Sequence, residues 1–354
     1  MSAVFSLLII IFSVYMLIII SNDYFIISLD RISHKLKLSP SVAGATLMAA
    51  GSSAPELSIA LFALFTHGGV HSDVGIGTIV GSAVFNILVI TGLCAVIRTA
   101  EITLGAIVRD TAFYLASIVV MLLVFIDGTI TFYEPLLLIG LYGVYMLALY
   151  FLPGDEYQEH HIPAVDCVTV PDDVKSWKTV FYRIDCYLKS VISLLSGDAH
   201  KNYIRAFTVS VLIIVLLSKL LVDNAIVFAE SINLPPVIIA LTILAAGTSA
   251  PDLIASIIVV RRGHGDMAIS NAVGSNIFDI LIGLGLPWLI GLWFTSVSSI
   301  RVGTAGLIES VFILIGTVLI LFAFLFLNKR LARPQGIFLL LIYAGYIGWV
   351  MITS

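Results

Sequence analysis

The stretch "AAGSSAPEL" stands at residues 49–57, and "AAGTSAPDL" stands at residues 245–253. Each sets a helix-breaking proline and a carboxylate inside a long apolar run. The surroundings are those of a membrane chain: 354 residues, 60% hydrophobic and 11% charged, with a mean hydropathy of +1.10. A soluble domain carries about 25% charged residues, so this chain has too few to cover a surface in water. Apolar runs of about 20 residues recur from end to end, each long enough to cross a hydrocarbon core. The net charge of −4 says little by itself. The cysteines Cys94, Cys167 and Cys186 suggest neither a disulfide framework nor a zinc spacing. The first apolar run has no basic segment before it and no small-residue cleavage position after it, so it reads as a retained span.

Hydropathy predicts ten spans, near 3–28, 41–66, 72–97, 106–126, 130–151, 204–231, 236–260, 267–294, 305–327 and 335–352. The first five form a half at 1–151, the last five a half at 204–354, and a polar loop at 152–203 divides them. Of the 18 Lys and Arg residues, 16 fall in links on one face of this arrangement. The positive-inside rule puts that face, with loop 152–203, in the cytoplasm and both chain ends outside. Lys219 lies inside the sixth span, where a local pair with Asp223 is expected. In the loop, Trp177, Phe181, Ile184, Leu188, Val191 and Leu195 follow a helical spacing. They suit either a helix on the membrane surface or one packed on the bundle ends. His160 and His161, with Glu156 and Glu159, read as a solvated acidic loop rather than a metal site.

A shift of 196 residues carries 42–57 onto 238–253, with eight identities in the twelve positions from Thr46 to Leu57. "DVGIGTIVGSAVFNIL" (73–88) matches "DMAISNAVGSNIFDIL" (266–281) with eight identities in sixteen. The copies, near 42–93 and 238–290, begin an odd number of crossings apart, so they enter the membrane from opposite sides. An inverted repeat of this kind builds its site near the bilayer midplane. The expected fold is therefore an all-α membrane protein of ten transmembrane helices in two inverted five-helix repeats.

The repeated residues are polar. Pro55 and Pro251 have no N–H to give to the carbonyls of Gly51 and Gly247. Helical spacing aligns Ala49, Ser52, Ser53 and Glu56 on one face, and Ala245, Thr248, Ser249 and Asp252 on its counterpart. In the following helices, Ser82 and Asn86 are four apart, as are Ser275 and Asp279. Together these groups make a cage of carboxylate, hydroxyl, amide and carbonyl oxygen, with no sulfur and no imidazole. Calcium and sodium want such ligands; zinc and copper do not. An ionised, unpaired carboxylate costs about 2.5–3.5 kcal/mol at membrane depth on the mildest scale. A pocket of Glu56, Asp252 and Asp279 is costly when empty, which favours obligatory exchange over leak.

These motifs resemble the two α-repeats of the cation/calcium exchanger superfamily, and are most similar to its potassium-dependent sodium/calcium exchangers. The resemblance implies the sodium/calcium exchanger fold and a non-enzymatic antiport of sodium against calcium with potassium co-transported. It needs no cofactor, and its only partners are the bilayer and the cations. By motif position Glu56 and Asp252 become the central ligands. Ser52, Ser53, Ser82, Thr248, Ser249 and Ser275 supply hydroxyls, Ala49 and Ala245 backbone oxygens, and Asn86 and Asp279 the rest of the ring. Asp279 inherits the link to potassium. The site is expected to be complete within one chain, with a dimer left open. A proton-driven exchanger of the same fold is the alternative. An intramembrane aspartyl protease, suggested by "GHGD" at 263–266, is a remote one because its Tyr-Asp partner motif is absent.

Overall fold

The computed structural model describes residues 3–35, 49–65, 72–101, 104–151, 176–261, 265–295, 298–302 and 307–353. The chain begins with α1 (Ala3–Ile20), a π-helical turn (Ser21–Phe25) and α2 (Ile26–Lys35). α3 (Ala49–Ser52) and α4 (Ala54–Phe65) follow, parted at Ser53. α5 (Ser72–Phe85) passes through a π-helical turn (Asn86–Ile90) into α6 (Thr91–Ile97), then come α7 (Leu104–Phe125) and α8 (Tyr133–Phe151). α9 (Ser176–Ser196) belongs to the loop, and α10 (Tyr203–Ser231) opens the second half. There α11 (Pro236–Ile239), a π-helical turn (Ala240–Leu244) and α12 (Ala245–Thr248) lead to α13 (Ala250–Arg261). α14 (Gly265–Phe278), a π-helical turn (Asp279–Leu284), α15 (Gly285–Thr295), α16 (Leu307–Asn328) and α17 (Arg333–Thr353) complete the order.

Among the described residues, eight helices are long and apolar enough to cross a membrane. The chain is an integral multi-pass membrane protein. Two shorter apolar helices, Ala54–Phe65 and Pro236–Thr248, fall where the expected second and seventh spans lie. The proline motifs explain their shortness. Ser53 forms a turn between α3 and α4, and Ser249 (φ −81°, ψ −1°) parts α12 from α13. Helical bonding persists across each break, from Ser53 N to Ala49 O (3.0 Å) and Leu57 N to Ser53 O (3.0 Å). The matching bonds run from Ser249 N to Ala245 O (3.2 Å) and from Leu253 N to Ser249 O (3.0 Å). Each proline therefore bends its helix at one serine and leaves the two arms in register.

α5 lies at the centre: every residue in it except Asp73 is buried. Burial on every side means that other helices surround it, and small residues let those neighbours come close. At Gly81 the approach is so tight that a Cβ would stand 2.5 Å from the backbone oxygen of Leu241. The main apolar cluster joins α5 to α7, α14 and α16 through Ile79, Val80, Ile118, Ile277 and Leu314. A second cluster joins α1 to α10 through Ile10, Leu17, Ile20, Ile214 and Leu221.

Four two-residue strands tie the halves together. β1 (Ala100–Glu101) pairs antiparallel with β4 (Arg330–Leu331), and β2 (Thr129–Ile130) with β3 (Ile300–Arg301). Each strand sits in a link between membrane helices, and each pairs only with a link of the other half.

The amphipathic loop helix α9 packs on the bundle. Lys189 Nζ lies 2.9 Å from Asp23 Oδ2 and 3.0 Å from Asp185 Oδ2. Tyr24 OH donates to Lys189 O (2.7 Å), and Tyr15 OH to Asp185 Oδ1 (3.1 Å). Burial pulls the Lys189 ammonium down, but the hydrogen bonds and charges of Asp23 and Asp185 outweigh it and hold the group above the usual lysine value. The lysine's charge is complete at neutral pH, and its contribution to the docking is lost as pH climbs past that raised value. Of the expected apolar stripe, Val191 and Leu195 are exposed, while Ile192 and Ser196 are buried. The inward face is thus rotated from the spacing-based one, because Lys189 is drawn inward to Asp23 and Asp185 to Lys189 and Tyr15.

Two expectations are corrected. Lys219 and Asp223 form no ion pair; Lys219 is exposed on the outside of α10. Cys186 is disulfide-bonded, where no disulfide was expected, while Cys94 is a buried free thiol. His160, His161, Glu156 and Glu159 lie outside the described residues, as do residues 263 and 264 of the "GHGD" stretch.

Candidate cation site

The site is built where the two bent helices meet the two helices that follow them. Asn86 and Asp279 hold matching positions in the repeat, and each is the first residue of a π-helical turn. A π-turn widens the helix by one residue, recurs at functional sites, and swings the side chain out of α-helical register. The kinks at Ser53 and Ser249 do the same for the hydroxyls on α3/α4 and α12/α13.

The structure brings the polar groups of the two halves into direct contact. Ser53 Oγ and Ser275 Oγ lie 3.2 Å apart, and Ser82 Oγ and Ser249 Oγ 2.7 Å apart. Ser275 Oγ donates to Asp252 Oδ2 at 3.1 Å. Ser52 flanks the same carboxyl, and Thr248 and Ser82 flank Glu56. The charges of Glu56, Asp252 and Asp279 act on one another. Glu56, Asp252 and Asp279 are 2%, 6% and 1% exposed, so water does not screen them. Among the described residues no three of His, Cys, Asp and Glu gather tightly enough to bind a metal alone. Hydroxyl, amide and backbone oxygens must complete any coordination shell here.

The backbone oxygens of Ala49 and Ala245 are already engaged. Ala49 O accepts from Ser53 N (3.0 Å) and Ser52 Oγ (3.3 Å). Ala245 O accepts from Ser249 N (3.2 Å) and Thr248 Oγ1 (3.4 Å). A cation drawing on these carbonyls displaces the hydroxyl bonds first.

Sequence reasoning missed Asn276 and Tyr114. Asn276 Nδ2 donates to Ala83 O (3.1 Å) and Tyr114 OH (2.8 Å), and its Oδ1 accepts from Asn86 Nδ2 (2.8 Å). A backbone carbonyl only accepts, so it orients the Asn276 amide, which in turn orients Asn86. The outcome is that Asn86 Oδ1 is buried without a partner. Asn276 stood beside Ser275 in the second motif, but the first copy has Ala83 there, so a search for shared polar residues passed over it. Nothing in the spacing pointed to Tyr114.

Four buried oxygens in this cluster have no hydrogen-bond donor: Glu56 Oε2, Asn86 Oδ1, Asp279 Oδ1 and Asp279 Oδ2. Buried acceptors are almost always satisfied, and these belong to matched positions of both repeats. Such a set accepts either protons or a hard cation.

Three comparisons bear on this site. The sequence pattern described as "Sodium/calcium exchanger protein" matches residues 5–151 and 203–352. The human sodium/potassium/calcium exchanger 5 is 32% identical across 96% of this chain and 81% of its own length. The mouse sodium/potassium/calcium exchanger 4 is 28% identical across 94% of this chain and 78% of its own. Two solved structures share the fold. The sodium-calcium exchanger NCX_Mj has a TM-score of 0.60 at 24% identity, covering 98% of this chain and 99% of that one. The H+/Ca2+ exchanger CAX has a TM-score of 0.70 at 17% identity, covering 96% of this chain and 80% of that one. A pattern that matches both halves, and relatives aligned nearly end to end, place the chain in the sodium/calcium exchanger family.

Proposed function

We propose that the chain exchanges sodium for calcium, with potassium co-transported, by alternating access at a midplane site formed by Glu56, Asp252, Asp279, Asn86 and their serine and threonine neighbours. The chain is a transporter and not an enzyme. The observation that carries the reading is the set of four buried, donor-less oxygens on Glu56, Asn86 and Asp279. Sodium, calcium and potassium enter from the relatives, which are sodium/potassium/calcium exchangers.

The architecture we infer is ten transmembrane helices in two inverted five-helix repeats, with the short, bent helices of the proline motifs as the second and seventh. Three features support it: the paired kinks at Ser53 and Ser249, the π-turns at Asn86 and Asp279, and the crossed strand pairs β1–β4 and β2–β3. A pseudo-two-fold axis in the membrane plane generates such crossed pairs, one on each face. The Lys and Arg distribution then orients loop 152–203 to the cytoplasm.

Calcium uptake into sodium-loaded proteoliposomes tests the coupling. Uptake that needs internal sodium and rises with external potassium supports the proposal. The likeness to CAX favours a second reading, in which the same carboxylates cycle protons. Uptake driven by a pH gradient alone would establish that reading instead. Within the first reading, Asp279→Asn abolishes the potassium response before it abolishes calcium exchange; an unchanged response removes Asp279 from that role.

A further inference from the structure

α10 carries one face that no described residue covers. Thr208, Leu212, Leu216, Lys219 and Leu220 are exposed and Asp223 is half-buried. At these spacings they form a single stripe along the helix. Leu212 and Leu216 are 58% and 67% exposed, as lipid-facing side chains are. Lys219 is not suited to that setting. It lies fourteen residues past Arg205 and eleven before Glu230, so about 16–21 Å of helix separates it from either charged end. Among the described residues, neither it nor Asp223 makes an ion pair or hydrogen bond. Ionisable side chains at membrane depth ordinarily pair with one another.

The first half treats the corresponding place differently. The shift of 196 that aligns the proline motifs carries Asp23 onto Lys219. The face of the first membrane helix that bears Asp23 is covered by α9, whose Lys189 pairs with it at 2.9 Å. The face of α10 that bears Lys219 has no such cover among the described residues.

We propose that a second copy of this chain covers it, the two copies packing along α10 about a two-fold axis normal to the bilayer. Such an axis keeps every residue at the same depth in both copies and makes the contact self-complementary. Lys219 and Asp223 lie one turn apart on one stripe, and the long lysine stem spans that rise. Lys219 of each copy therefore meets Asp223 of the other, so the contact holds two ion pairs and leaves none of the four charges unpaired. Leu212, Leu216 and Leu220 pack around them at spacings that suit a shallow helix crossing. The pairing stands whether the transported driver is sodium or protons.

The test counts copies in lipid. Dye-labelled protein is reconstituted at low density in liposomes, and photobleaching steps are counted per particle. Wild-type protein bleaches in two steps. K219D sets four carboxylates against one another and bleaches in one, as does D223K with its four ammonium groups. The double variant K219D/D223K restores opposite charges and two steps. Matched melting temperatures show that each variant is folded. Single-step bleaching of wild-type protein overturns the proposal, as does two-step bleaching of a folded K219D. A folded double variant that stays single-step also overturns it. Native mass spectrometry covers the other occupant: a monomer retaining an anionic phospholipid that K219A loses would assign Lys219 to a headgroup phosphate and overturn the dimer.

Discussion

Asn276 shows how an unremarkable amide can decide what its neighbour binds. Its Nδ2 is held by Ala83 O and Tyr114 OH, so its Oδ1 must face Asn86, and Asn86 must present its own carbonyl oxygen unpaired. Removing that constraint with Asn276→Ala lets the Asn86 amide turn over. Groups that orient ligands without touching the ion contribute about 10–100-fold in affinity. Asn276→Ala is expected to weaken calcium binding within that range while the protein stays folded, as measured by calcium titration; unchanged affinity would remove Asn276 from the site. The proposed ligands could be picked out in the sequence because they recur: Ser52, Ser53, Glu56, Ser82 and Asn86 each have a polar counterpart 196 or 193 residues on. Asn276 and Tyr114 were not legible because they break the repeat. Their role exists only where the two halves touch.

At the scale of elements, the polar site rests on close helix contacts that glycine permits. α5 passes so near the Leu241 backbone that Gly81→Ala places a methyl where a carbonyl oxygen already stands. Overpacking of this kind costs about 1–3 kcal/mol, and here the clash is with main chain that cannot rotate away. A lower melting temperature of the purified variant is expected, together with slower transport, since Ser82 is the next residue. An unchanged melting temperature would mean the two helices do not approach as described. Hydropathy predicted most helices well, since a run such as Leu307–Leu327 has no other way to bury its backbone polar groups in lipid. It gave no sign of the kinks at Ser53 and Ser249 beyond the prolines, and none of the π-turns. Those depend on side-chain packing across the site and not on local composition.

For the molecule as a whole, orientation follows from charge. With 16 of 18 Lys and Arg residues assigned to one face, the C-terminal end of α17 is expected outside. An epitope tag after Ser354 should then be detected on intact cells, and detection only after permeabilisation would reverse the topology. The same tag weighs the disulfide at Cys186 against the charge count, because the cytosol keeps thiols reduced. The loop helix was legible as amphipathic, but its inward face was not. Asp23, the residue that turns it, lies more than 160 residues earlier in the chain.

The proposed site holds one transported cation between buried oxygens of Glu56 and Asn86 in the first half and of Asp252 and Asp279 in the second. Calcium titration of the purified protein against Glu56→Gln and Asp252→Asn tests it most directly. The wild-type protein should bind calcium in competition with sodium, and each variant, still folded, should lose that binding. Equal calcium affinity in the wild-type protein and either variant would contradict the claim.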